Sequence, residues 1–223
     1  MGHKISKLIV VILFFIVHPA AKTQTIRDID GNFYKTITIG TQTWLAENLK
    51  TTRFNDGVSI PLASSDKSWG YKITPTFCWY NNDETKYKNK YGALYNWYTV
   101  KTGKLCPIGW HVPSDNEWTI LTEYLGVKSA GGKLKEVGST HWFLPNEDSN
   151  NETGFTALPG GSRNMDCSFD FLGRFGYWWS STDTNSNFRN YATYRCLSYY
   201  VGTITGGEDY KGNGFSVRCL KDF

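Results

Sequence analysis

The sequence predicts an α+β fold, and three observations carry the prediction. Aromatic residues fill 16% of the 223 positions and glycines number 22, a mixture that favours strands, turns and irregular loops over long helical bundles. Pro113-Ser114-Asp115-Asn116-Glu117 carries a complete helix-start signal. In the last third, Gly176 to Thr182, Tyr191 to Val201 and Gly214 to Leu220 concentrate β-favouring residues, as a short C-terminal antiparallel sheet would. Apolar residues at 40% and charged residues at 20% leave room for a sizeable core.

In chain order, residues 1–24 read as a secretory signal peptide. Lys4 and Lys7 form a basic start, Leu8 to Val17 is a run of ten uncharged apolar residues, and Pro19-Ala20-Ala21 is a small-residue exit, with cleavage expected near 21–24. Ten apolar residues fall short of the roughly 20 that a spanning helix needs, so no stable membrane span is expected. No cysteine sits at the exit to carry a lipid, so release is expected, with the product secreted, periplasmic or on the cell surface. Loss of Lys4 and Lys7 takes the formal charge from +4 to +2 and leaves His111 and His141 as the histidines. A balance this even is no electrostatic footprint for nucleic acid.

Thr36 to Ile39, between Asp30-Gly31 and Gly40, reads as a strand entering a hairpin. Trp44 to Leu49 has helix-forming residues in a segment too short to stand without packing. Arg53 to Thr76 reads as loop, and Tyr91 to Val100 as a short buried helix with Leu94, Trp97 and Tyr98 on one side. Ser114 and Glu117 form a capping box, which places a helix from about Asp115 to Leu125 with Trp118, Leu121 and Leu125 inward and Gly126 at its end. Asn146 to Gly154 is a polar loop in a turn-rich stretch. With no internal repeat and no linker composition, residues 25–223 are expected to form one domain.

Four strings carry more than periodicity: Trp44-Leu45-Ala46-Glu47-Asn48-Leu49-Lys50, Gly109-Trp110-His111-Val112-Pro113-Ser114-Asp115, Trp178-Trp179-Ser180-Ser181 and Gly214-Phe215-Ser216-Val217-Arg218-Cys219. Together they resemble the Fibrobacter succinogenes major paralogous domain, from about Ile26 to Asp222. The resemblance implies a secreted or surface module of Bacteroidetes and Fibrobacteres, without an assigned reaction. The helix start, the later Trp-Ser-Ser and the terminal Gly-Phe-x-Val-Arg are also similar to the formylglycine-generating enzyme and the C-type-lectin-like fold. That likeness implies a compact domain with a short twisted antiparallel sheet, a few short helices and long irregular loops, and fold alone does not fix function.

Five cysteines in an exported chain allow two intramolecular disulfides. Cys106 with Cys219 is the first pairing expected, closing a loop of over 100 residues, and Cys167 with Cys196 the second. Cys78, between Phe77 and Trp79, is expected as a small buried hydrophobe. A thiol nucleophile or copper ligand would need partner groups that no Cys-x-x-Cys or Cys–His spacing supplies. His111 and His141 lie too far apart in sequence for a recognisable zinc pattern, so no metal ligand is assigned. Asn81 to Glu84 and Asn146 to Glu152 offer oxygen donors that could take calcium, without a calcium-loop glycine and glutamate or a sugar-binding Glu-Pro-Asn triplet, and solvated loops are the expected state. His111 is expected to be a hydrogen-bonded structural histidine, and no catalytic residue is assigned.

Recognition by aromatic rings remains. Trp142, Trp178 and Trp179 are the expected ligand-binding residues, with Tyr194, Tyr199 and Tyr200 as further flat faces. Strand alternation predicts one of Trp178 and Trp179 inward and the other outward. The expected function is a non-catalytic binding module for a glycan or surface protein; the alternatives are an enzyme using a free thiol or metal, and a structural or adhesive envelope component.

Overall fold

The computed structural model describes residues 25–184 and 190–222, so the segment read as a signal peptide lies outside the described residues. The chain enters through Thr25–Arg27 (β1) and the hairpin of Phe33–Ile39 (β2) and Gln42–Leu45 (β3). In β2 alternation buries Tyr34 and Thr36 while Phe33 and Lys35 face out; the phase shifts at Ile37, so that Thr38 is exposed and Ile39 buried. Gly40, at φ 60, makes the turn that an L side chain would strain. The helix read across Trp44 to Leu49 is absent: Trp44 and Leu45 pair with β2, and Ala46 and Leu49 donate to the carbonyls of Lys35 and Val217. Long-range strand pairing here outweighs the weak propensity of six residues.

A loop with one helical turn, Asp66–Trp69 (α1), leads to Phe77–Cys78 (β4), a 3-10 turn at Tyr80–Asn82 and Glu84–Tyr91 (α2). Asp83 caps α2 by accepting from the Lys86 amide. The single helix expected over Tyr91 to Val100 is divided. Gly92, at φ 76, ends α2 where an added Cβ would lie 2.6 Å from the Leu49 carbonyl oxygen. Leu94–Tyr95 (β5) then pairs with β4, and Asn96 caps Trp97–Val100 (α3). Trp110–His111 (β6) precedes Asp115–Leu125 (α4), which has the expected bounds, capping box and inward Trp118, Leu121 and Leu125. Ala130–Leu134 (α5), Ser162–Arg163 (β7), Phe169–Asp170 (β8), Phe175–Asp183 (β9), Tyr191–Ser198 (β10), Thr205–Tyr210 (β11) and Leu220–Lys221 (β12) complete the described elements.

The strands form a five-stranded sheet in the order β1-β2-β3-β12-β6, a three-stranded sheet β11-β10-β9, and two two-stranded ribbons, all ladder pairs antiparallel. The α+β class stands. Gly214 to Leu220 is extended as expected but makes a ladder only at its end. Its residues bond in turn to Arg163, Tyr95, Tyr177 and Trp179, Leu49 and Leu45, so one buried ribbon laces the separate sheets together.

Two covalent or polar clasps hold that ribbon. Cys219 is bonded to Cys106, as expected, across 113 residues. His111 Nδ1 lies 2.6 Å from Asp222 Oδ1 and its Nε2 2.9 Å from Glu117 Oε1, while Glu117 Oε2 accepts from the Ser114 amide at 2.7 Å. His111 is thus hydrogen-bonded at both ring nitrogens. Burial acts to lower its pKa, but the bonds to Asp222 and Glu117 outweigh it and hold the imidazolium above its ordinary 6.5. Burial likewise acts to raise Glu117, yet the Ser114 and His111 bonds hold it below 4.5.

Replacing Cys106 and Cys219 by Ala is expected to lower stability by about 2–5 kcal/mol, read from denaturant unfolding, because the closed loop is long. The His111 clasp sets a second expectation. A raised histidine stabilises fully below 6.5 and loses that contribution as pH climbs through its folded pKa, whereas a lowered glutamate stabilises above 4.5 and loses it on further acidification. The stability gap between wild type and His111→Gln should therefore be wider near about pH 5.5 than near about pH 8.5. Equal gaps at both would show that the imidazolium contributes nothing.

Candidate functional site

The tryptophans expected to meet a ligand are all interior. Trp142 and Trp178 are 1% exposed and Trp179 is 0%. Each indole donor is taken: Trp142 by the Ala157 carbonyl, Trp178 by Asn48 Oδ1 and Trp179 by the Tyr95 carbonyl. Alternation does point Trp178 and Trp179 to opposite faces of β9, but both faces are covered at this level. Trp178 packs with Trp118, Leu197 and Leu220, while Trp179 packs with Phe215 at a ring separation of 4.4 Å. None of the three presents a face to a ligand.

The second disulfide is also absent. Cys196 is buried in β10, opposite Tyr177 and Thr205, and Cys167 sits in a turn at φ 76 with its thiol 3.4 Å from the Asp66 carbonyl oxygen. Both are free, as is Cys78, buried as expected. Burial pushes the Cys78 and Cys196 thiols up to about 12, so neither is an activated nucleophile at neutral pH. His141 is held by Glu136, with Nδ1 2.8 Å from Oε2.

Among the carboxylates weighed as catalytic pairs, Asp166 and Asp170 meet on one serine hydroxyl, while three others are engaged by basic side chains. Asp115 binds Arg195, Glu117 binds His111, Asp183 binds Lys211, and Asp166 and Asp170 share Ser168. The oxygen-rich run at Asn81 to Glu84 is the end of the 3-10 turn, the cap of α2 and its first residue. In the other, Asn146 donates to the carbonyls of Glu136 and Gly138. Among the described residues no group of three or more His, Cys, Asp or Glu side chains is placed to hold a metal.

What the fold does expose is a strip of rings on the outward residues of β9 and the segments beside it. The β9 alternation that buries Gly176 and Trp178 turns Phe175 and Tyr177 outward, stacked at 5.7 Å. Phe171 meets Phe175 edge-on at 5.4 Å from one side. Tyr200 meets it at 5.9 Å and Tyr199 at 6.4 Å from the other, where β10 ends. Tyr194 extends the strip from Tyr177 at 5.8 Å. Phe171 is 43% and Tyr200 54% exposed, and the rings between are half-buried. Burial raises the Tyr177 and Tyr194 hydroxyls above 10.0, so both stay protonated donors at neutral pH. The arrangement offers flat apolar faces edged by phenolic hydroxyls, a surface suited to binding rather than bond making.

Tyr194, Tyr199 and Tyr200 were legible in the sequence as candidates. Phe171, Phe175 and Tyr177 were missed, although period-two alternation through Phe175-Gly176-Tyr177-Trp178 was the signal that would have found two of them.

A family model, the Fibrobacter succinogenes major domain, matches residues 37–221. No curated protein and no solved structure matches the chain.

Proposed function

We propose, from the premise that the chain belongs to the Fibrobacter succinogenes major domain family, that it is an exported, non-catalytic binding module that recognises a glycan through the aromatic strip of β9 and β10. The strip carries the reading. Sugar rings present apolar faces bounded by hydroxyls, and Phe171, Phe175, Tyr177 and Tyr200 supply complementary faces beside hydroxyl donors and acceptors. Because the tryptophans beneath are locked in the core, the rings above them are pre-positioned and lose little entropy on binding.

Residues 1–24 act as the export signal in this reading, and residues 25–223 as the one mature domain, at the cell surface or beyond. The long-range Cys106–Cys219 disulfide supports an oxidising destination. No helix among the described residues is long and apolar enough to cross a membrane. The C-type-lectin-like shape belongs to the same proposal, supported by the meeting of the first and last strands, β1 to β3 with β12, in one sheet around long irregular loops.

Titration of the mature chain with a panel of neutral polysaccharides is expected to find a ligand whose affinity falls about tenfold or more in Phe171→Ala and in Tyr200→Ala, both on the surface. Circular dichroism should show the two variants folded. Binding that is indifferent to both substitutions, or absent across the panel, would remove the strip as the recognition surface.

A further inference from the structure

We infer that a separate cavity, floored by the buried guanidinium of Arg218, is a binding site for an organic carboxylate of about monosaccharide size. The cavity encloses about 370 Å³ between β2, the 46–49 segment and residues 154–158. That volume lies within the range of small-ligand pockets, at its lower end.

The argument begins with the company Arg218 keeps. It is 1% exposed, yet among the described residues no carboxylate lies within ion-pair distance of it. The other buried arginine, Arg163, has Asp66 at 3.2 Å. A buried cation without an ion-pair partner is costly: burial pulls the Arg218 pKa down to about 9, and the charge of Glu47, beyond ion-pair distance, offsets this only in part. Its hydrogen bonds account for three of the five guanidinium N–H groups: Nε and Nη2 donate to Asn48 Oδ1, and Nη1 to the Phe155 carbonyl. Two N–H groups are left for a ligand.

Asn48 fixes the orientation of the fork. Its Oδ1 also accepts from Trp178 Nε1, while its Nδ2 donates to the Tyr91 carbonyl and to Ser216 Oγ. The amide cannot flip without losing several bonds, so the guanidinium is held ready. Lys35 and Lys90 stand at the exposed rim, and Glu47 is the one acidic residue of the lining, giving three cations to one carboxylate. Glu47 is occupied, with Oε2 accepting the Lys35 amide at 2.9 Å.

One planar fork matches a carboxylate, and Glu47 in the same lining weighs against a dianion such as phosphate. Ile37 and Leu158 give the lining apolar surface and Thr156 a hydroxyl, which together suit a ring-bearing acid such as a uronate.

The test is a titration followed by the ¹⁵N signals of the Arg218 Nε–H and the Asn48 side-chain amide, using glucuronate, methyl glucoside and inorganic phosphate. Glucuronate should move both signals saturably and methyl glucoside neither. Arg218→Lys risks misfolding, so two other variants carry the comparison. Ala46→Leu, which fills the cavity and leaves its charges, should weaken glucuronate about tenfold, and Glu47→Gln, which removes the opposing charge, should tighten it. Polygalacturonate in a parallel arm separates the sources: tighter binding per uronate than the monomer marks an acidic glycan, weaker binding a free organic acid. No saturable shift with glucuronate, unchanged binding in Ala46→Leu, unchanged or weaker binding in Glu47→Gln, or phosphate binding more tightly than glucuronate would overturn the assignment. Because neutral polysaccharides test the aromatic strip and glucuronate tests this cavity, each reading can fail alone.

Discussion

Residues 211–220 are buried without a break, and a buried chain must find a partner for every main-chain donor and acceptor. This segment spreads its bonds over many neighbours. Gly214 exchanges both of its bonds with Arg163, Phe215 exchanges both with Tyr95, and Ser216 sits between Tyr177 and Trp179. Val217 and Cys219 then accept from Leu49 and Leu45 before Leu220 joins Trp44 and His111 in the five-stranded sheet. These neighbours come from five separate parts of the chain. Removing the ribbon would leave carbonyls and amides of several sheets unpaired in the interior, so the other sheets depend on residues 211–220. Such distant pairings also place much of the loop-closure cost late in folding, which the disulfide at Cys219 offsets once formed.

The side chains of the ribbon connect the same parts a second time. Asn48 comes from the first family string, Trp178 from the third and Arg218 from the fourth, and the three meet in one hydrogen-bonded cluster. His111 and Ser114, from the second string, join Glu117 and Asp222 at the other end of the ribbon. The strings that make the family recognisable are therefore largely the polar contacts of the interior. A network of this kind is stabilising only when its members are satisfied together, which restricts which residues can stand there. It also explains why recognising the family supplied a shape without a reaction.

Features decided by neighbours in sequence were legible before the structure. Ser114 and Glu117 are three residues apart, so the start of α4 could be read from them alone, and its buried stripe followed from helical spacing. The strand at Thr36 to Ile39 and the burial of Cys78 were equally local matters. Features decided by distant neighbours were not. Trp44 and Leu45 became strand and 46–49 an irregular extension because β2 and the C-terminal ribbon flank them. Trp178 and Trp179 both vanished inside because β9 is covered on two sides, which no alternation rule within the strand can show. Cys167 and Cys196 had plausible sequence positions, but one lies in a turn against the Asp66 loop and the other inside the sheet. Asn48 and Arg218, 170 residues apart, carried no local sign of their contact.

Both candidate surfaces share a backbone feature that bears on how they are held. Phe171 in the aromatic strip has φ 65, and Thr156 beside the cavity has φ 52, a region that bulky and β-branched residues avoid. Such a conformation costs on the order of 1–3 kcal/mol and persists only where surrounding bonds over-determine it. At Thr156 those bonds are explicit: its amide donates to Asn151 Oδ1 at 2.8 Å, and the Asn151 amide group donates back to Thr156 Oγ1 at 2.9 Å. At Phe171 the carbonyl accepts from the amides of both Arg174 and Phe175. Glycine would relieve either strain but would remove the ring from the strip or the hydroxyl from the cavity wall. The chain keeps the costly residue in both places, and it does so next to buried core, where a fixed side chain can be presented without further ordering.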